Sequence, residues 1–138
     1  MKNQVLSVEQ MKHLQELGVD TSKASCAYYA FYESEPNYYE LRIRDSALEI
    51  DPQTIPFIPT FTLQDMLEML PDGIEDGGYV FFPTFKRTLT NWMGGYCNFT
   101  YGMEIGVFLL PDLLTCAYET LCWLAENGYL KGGNNENK

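Results

Sequence analysis

The chain has one histidine, His13, in 138 residues, and its 9 Lys and Arg face 19 Asp and Glu for a formal net charge of −10. That shortage of positive charge disfavours direct binding to nucleic-acid backbones and to anionic membrane surfaces, both of which depend on clustered Lys and Arg. No apolar run approaches the ~18 residues a membrane-spanning helix needs. No glycine-rich loop followed by Lys is present to cradle a phosphate; Gly77-Gly78 and Gly94-Gly95 stand as isolated pairs and read as turns. The first residues carry neither an apolar signal core nor a small-residue cleavage site, so export by that route is not expected.

Apolar and aromatic residues are abundant. The chain is 46% hydrophobic, with eight Phe, two Trp and ten Tyr, which excludes intrinsic disorder. The length suits one domain, expected over residues 1–130, followed by a flexible polar tail over 131–138. Cys26, Cys97, Cys116 and Cys122 lie among apolar neighbours without close spacing and read as reduced, buried thiols, which points to the cytoplasm. Cys116 and Cys122 are six apart on an expected helix, about 240° around its axis, so they do not chelate one zinc ion.

Two short helices carry clear start signals. Ser7 with Gln10 forms a capping box, and Leu6 with Met11 a hydrophobic staple across it. Met11, Leu14 and Leu17 then form one apolar stripe and Gly18 stands at the stop, giving a helix over 8–17. Thr62 with Asp65 repeats the box, stapled by Phe61 and Met66, before a helix that Pro71 closes. Pro111 and Asp112 open a longer helix whose stripe is Leu113, Leu114, Ala117, Leu121 and Leu124, ending at Gly128.

Between these lie β-favouring runs. Residues 27–33 and 38–44 predict a hairpin whose paired positions sum to 71, with Tyr28, Ala30 and Tyr32 facing Ile43, Leu41 and Tyr39 on an apolar face. The other face pairs Tyr29 with Arg42, Phe31 with Glu40 and Glu33 with Tyr38, a mixture suited to a partly exposed surface. Pro52, Pro56 and Pro59 mark residues 51–59 as an extended linker, and 72–78 reads as an acidic, Gly-rich loop. Two or three strands are expected between 79 and 109. The fold class is therefore α+β: an antiparallel sheet of four to five strands with two short helices and one long C-terminal helix packed on it, with a hint of a duplicated αββ unit.

Three segments carry a resemblance. Leu14-Gln15-Glu16-Leu17-Gly18-Val19-Asp20-Thr21-Ser22-Lys23-Ala24-Ser25, Pro59-Thr60-Phe61-Thr62-Leu63-Gln64-Asp65 and Leu121-Cys122-Trp123-Leu124-Ala125-Glu126-Asn127-Gly128-Tyr129 resemble stretches shared by short uncharacterised proteins of gut anaerobic bacteria. Those proteins come from prophage-like or other mobile-element regions. The resemblance touches the helix regions and implies no activity.

Candidates for chemistry are few. His13, flanked at helical spacing by Glu9 and Glu16, reads as a surface imidazole; a Cys-His pair with Cys97 or Cys26 is the catalytic alternative. A calcium loop starting at Asp72 fails because Ile74 and Pro83 occupy ligand positions. No catalytic, cofactor-binding or metal-binding residue is assigned, and no cofactor. Residues 51–82 hold six acidic and no basic side chains, whereas 83–111 hold one acidic and two basic. The expected binding surface is Tyr29, Phe31, Tyr38, Glu40 and Arg42 on the hairpin, with Asp72, Glu75 and Asp76 in the acidic loop. The function expected is a small, non-enzymatic protein-binding or regulatory module with a basic protein partner. The alternatives are a nucleic-acid mimic inhibiting a DNA-binding enzyme, and a small cysteine-dependent enzyme.

Overall fold

The structure, a computed structural model, describes residues 4–130 apart from 33, 36 and 51–54. The tail expected over 131–138 and the acidic Asp51 therefore lie outside the described residues. The elements run α1 (Val8–Glu16), β1 (Cys26–Tyr29), β2 (Glu40–Ile43), α2 (Ser46–Ile50), β3 (Phe57–Thr60), α3 (Leu63–Met69), β4 (Ile74–Asp76), β5 (Tyr79–Arg87), β6 (Trp92–Asn98), β7 (Met103–Leu110) and α4 (Leu113–Glu126). The fold is α+β with antiparallel sheets and a long C-terminal helix. The larger sheet has four strands, in the order β4-β5-β6-β7, and a second sheet of three strands in the order β2-β1-β3 stands beside it. Among the described residues no helix is long and apolar enough to cross a membrane.

Local signals set the helix ends. The Ser7 backbone N–H donates to Gln10 Oε1 at 2.9 Å, and the Gln10 N–H returns a bond to Ser7 Oγ at 3.1 Å. Thr62 and Asp65 repeat the exchange at 2.9 and 3.0 Å. At the far end of α1, the Val19 N–H reaches the Leu14 carbonyl at 3.0 Å while Gly18 adopts φ +88°, and Gly128 with Tyr129 closes α4 in the same way. Each such end satisfies orphaned backbone groups without long-range help.

The main core forms where α4 lies on the larger sheet, with α3 packed against α4 and α1 joining from its place on β3. Leu6, Met11, Leu14, Met66, Leu121 and Leu124 are fully buried there with Phe81 and Tyr96. Each such aliphatic side chain contributes about 1.5–3 kcal/mol relative to exposure. Half of α4 is buried, from Cys116 to Leu124, as its broad apolar stripe predicts. The helix lies very close to the sheet because two glycines lack a side chain: a Cβ on Gly106 would sit 2.6 Å from the Trp123 ring, and one on Gly94 would meet Phe85 at 2.5 Å and Cys116 at 3.2 Å.

Four sequence expectations need correction, and one helix stands where none is expected. Gly94-Gly95 is no turn but the middle of β6, where Phe85 and Cys116 of α4 leave no room for a side chain at Gly94 and the β7 residues Gly106 and Val107 leave none at Gly95. The acidic loop 72–78 is the hairpin β4–β5, whose tip Gly77-Gly78 takes φ +61° and +87°, the geometry of a tight primed turn. Residues 57–60 form strand β3 rather than a linker, because an edge strand tolerates Pro59 opposite Ala27. The first hairpin pairs positions that sum to 69, as in Tyr28 with Leu41 and Tyr29 with Glu40, and its strands stop at Tyr29 and Glu40. That slip of two residues keeps the side chains that are paired on their expected faces. The short helix α2 follows β2 without a sequence signal strong enough to predict it.

Gly106 takes φ +59° and also faces Trp123, whereas Gly102 takes φ +64° with open space around it. Gly106→Ala should therefore cost about 2–4 kcal/mol in urea unfolding, through strain and overpacking together. Gly102→Ala should cost only the backbone penalty, about 1–2 kcal/mol. Equal losses would refute the packing account.

Candidate binding groove

The two faces of the hairpin β1–β2 have different fates. Ala27, Tyr29, Glu40 and Arg42 share one face, and Tyr29, expected to be partly exposed, has no accessible surface at all. Its hydroxyl donates to Glu49 Oε2 at 2.6 Å, and its ring lies 5.7 Å from both Phe31 and Phe57. Arg44 grips the same carboxylate through Nε at 2.7 Å and Nη2 at 2.6 Å, and spends Nη1 on the Ser22 and Ala24 carbonyls. Tyr29 is thus a core residue under a polar lid, and it leaves the candidate surface.

The other proposed residues are scattered. Arg42 lies over the half-buried Phe31 ring at 4.7 Å and donates to Glu40 at 2.6 Å, so these three form one compact surface cluster. Tyr38 is exposed and packs on Tyr32 at 5.8 Å. Asp72, Glu75 and Asp76 stay exposed on the other sheet. Asp76 accepts the Tyr129 hydroxyl at 3.2 Å, and neighbouring Glu75 points to the opposite face of its strand. Asp65, counted in the same acidic segment, is spent inside the fold: it accepts the Ser25 N–H at 2.9 Å and the Ser25 hydroxyl at 2.5 Å as well as the Thr62 cap. Among the described carboxylates, Asp65, Glu75 and Asp76 thus point in different directions.

The opposite face, Tyr28 and Leu41 with Cys26 and Ile43, is the one the sequence predicts to be apolar. It is only half covered. The Tyr28 hydroxyl donates to the Leu6 carbonyl at 2.7 Å, which also accepts the Thr60 hydroxyl at 2.7 Å, so the segment leading into α1 lies across β1 and β3. Over β2 that cover stops. Between α1 and the hairpin runs a groove of about 1350 Å³, floored by Tyr28, Tyr39 and Leu41, with Tyr38 beside them. Glu9 and Lys12 of α1 and Asp112 at the start of α4 also border it. Asp112 is held in place by capping bonds from the Thr115 N–H and hydroxyl, both 2.8 Å. A smaller, more apolar hollow of about 590 Å³ adjoins it, where Ile43 is 72% exposed. Sequence periodicity marked this face as apolar but carried no sign that α1 would stop short of β2.

His13 is exposed, 3.9 Å from Glu16 and 6.5 Å ring to ring from Tyr118. All four cysteines are free and buried. Burial pushes the thiols of Cys26 and Cys116 up, and that of Cys122 up to about 11. Among the described residues no group of three His, Cys, Asp or Glu is arranged to hold a metal ion. Comparison with protein-family models, curated proteins and solved structures returned no match.

Native thiols with these surroundings should react slowly with an aromatic disulfide reagent at pH 8, all four becoming available in denaturant. A single fast native thiol with a low pKa would point instead to cysteine chemistry. The lid over Tyr29 generates a pH dependence. Hydrogen bonding to Arg44 holds the Glu49 carboxyl below its ordinary value. Its contribution is therefore complete above the unfolded value of ~4.3 and is lost as pH falls through the folded one. Glu49→Gln should cost about 2 kcal/mol at neutral pH and flatten the loss of melting temperature in acid.

Proposed function

We propose that this chain is a small, non-enzymatic, acidic module of a mobile element that binds a protein partner, through the groove between α1 and the hairpin β1–β2, and acts in the cytoplasm as a regulator. The observation that carries the reading is the half-covered sheet face. It presents Tyr28, Tyr38, Tyr39 and Leu41 around about 1350 Å³ of open space. Pockets for small molecules are typically about 300–1,000 Å³ and enclosed on most sides, so an extended segment of a protein is the better match.

Tyrosine favours such a contact, since each ring offers a large rigid area with a polar tip. Among the described residues β2 also has a partner on one side only, so an extended segment can add main-chain bonds along its edge. Glu9 and Asp112 against the single Lys12, within a chain of net charge −10, favour a basic segment. The mobile-element setting rests on the three resembling segments, and the compartment on the four free thiols.

Co-purification of the tagged full chain from its native host, at roughly 0.1 and 0.5 M salt, tests the reading. The expected partner is basic, is weakened by salt, and is held about tenfold less well by Tyr38→Ala. Leu41→Asp should release it with the thermal unfolding midpoint kept near that of the parent, whereas Phe82→Asp on the larger sheet should not. A partner indifferent to Leu41→Asp would remove the groove from consideration.

A further inference from the structure

The larger sheet has a second face that α4 does not touch. Register places Phe82, Cys97 and Glu104 in one row across β5, β6 and β7, and Lys86, Met93 and Leu109 in another. Thr84 and Gly95 lie between them, with Val107 beside Gly95. The alternate positions, Phe85, Gly94 and Tyr96, turn towards α4 and the core. Along the flanking strands this face is open, with Val80 44% exposed, Phe82 52% and Leu109 58%, while Met93 and Cys97 on the central strand are only 8% and 3% exposed. Scattered apolar side chains on a surface are ordinary, but three on one continuous sheet face form a patch.

We propose that this face joins two copies of the chain in an isologous dimer, with the sheets crossing face to face. Charge points to a second copy. Residues 83–111 are the one stretch without an acidic excess, and the face itself carries only Lys86 against Glu104 and, beside Val80, Glu75, so two molecules of net charge −10 meet little repulsion here. The face is also its own complement. Lys86 and Glu104 stand at opposite corners, and Phe82 and Leu109 occupy the other two. With about 4.8 Å between strands and 3.4 Å per residue, Lys86 and Glu104 are about 17 Å apart and cannot pair within one copy.

A two-fold axis along the Phe82–Leu109 diagonal brings each Lys86 over Glu104 of the second copy. It also sets Phe82 on Phe82 and Leu109 on Leu109. On those spacings the diagonal lies about 35° from the strands, so the operation turns one sheet about 70° relative to the other, nearer the orthogonal than the aligned way for sheets to pack. Phe82 and Leu109 then supply buried apolar area, and the two Lys–Glu pairs fix the orientation.

Sedimentation equilibrium of the full chain, followed up to about 200 μM, should show a species of twice the 15.8 kDa chain mass. Phe82→Asp should make the chain monomeric while circular dichroism and the melting temperature stay close to the parent's. Lys86→Glu and Glu104→Lys should each weaken the dimer about tenfold, and the double reversal should restore it. Leu41→Asp, in the groove of the other sheet, should leave association unchanged. A monomer across the whole range, a dimer indifferent to Phe82→Asp, a dimer broken by Leu41→Asp, or a double reversal that fails to rescue would each overturn the proposal. Capture of a different protein on this face by a monomeric chain would do so as well.

Discussion

Everything in the larger half of the molecule depends on how closely α4 can approach the sheet. Trp123 occupies the space a side chain on Gly106 would fill, and Cys116 lies against Gly94 with its thiol donating to the Trp92 carbonyl at 3.1 Å. Such contact gives one face of β6 and β7 close packing, since dispersion falls steeply with any gap. It also commits the only long helix to that face. The reverse face, with Phe82 and Leu109, is left with neighbouring side chains as its sole cover among the described residues.

The smaller sheet is held by polar connections more than by area. Asp65 caps α3 and at the same time binds Ser25 at the start of β1, so one carboxylate links the helix to the strand. The Leu6 carbonyl takes two hydroxyl donors, which lay the approach to α1 across β1 and β3. On the other side Arg44 and Glu49 seal Tyr29 with a bidentate pair whose side chains are 23% and 14% exposed. A sheet of three short strands is thereby closed on one face by ions and hydrogen bonds, and on the other only as far as α1 reaches. The groove is the remainder of that geometry.

Much of the fold is legible in the residues. The capping boxes at Ser7 and Thr62, the glycine stops at Gly18 and Gly128, and the broad stripe of α4 are all local, since each depends on partners within about four positions along the chain. Tyr29 shows the limit. Alternation with Arg42 and Glu40 suggested a wet face, and the lid that dries it comes from Glu49, twenty residues further on. Pro59 was equally ambiguous: it forbids a central strand, and only the sheet order shows that β3 has an open side. Of the eight surface residues suggested by composition, Phe31, Glu40 and Arg42 gather beside Tyr29, whereas the acidic three belong to another sheet.

Local signals in the sequence establish the class of fold, the ends of three helices, which side of the first hairpin is apolar, and where the charge is concentrated. These follow from backbone capping, side-chain periodicity and composition, which act over short range. Tertiary structure alone decided which apolar face is covered. That outcome depends on where one long helix fits against two glycines and how far one short helix extends over a neighbouring sheet. Both are distances between segments remote in sequence, and both open surfaces of the molecule are set by them.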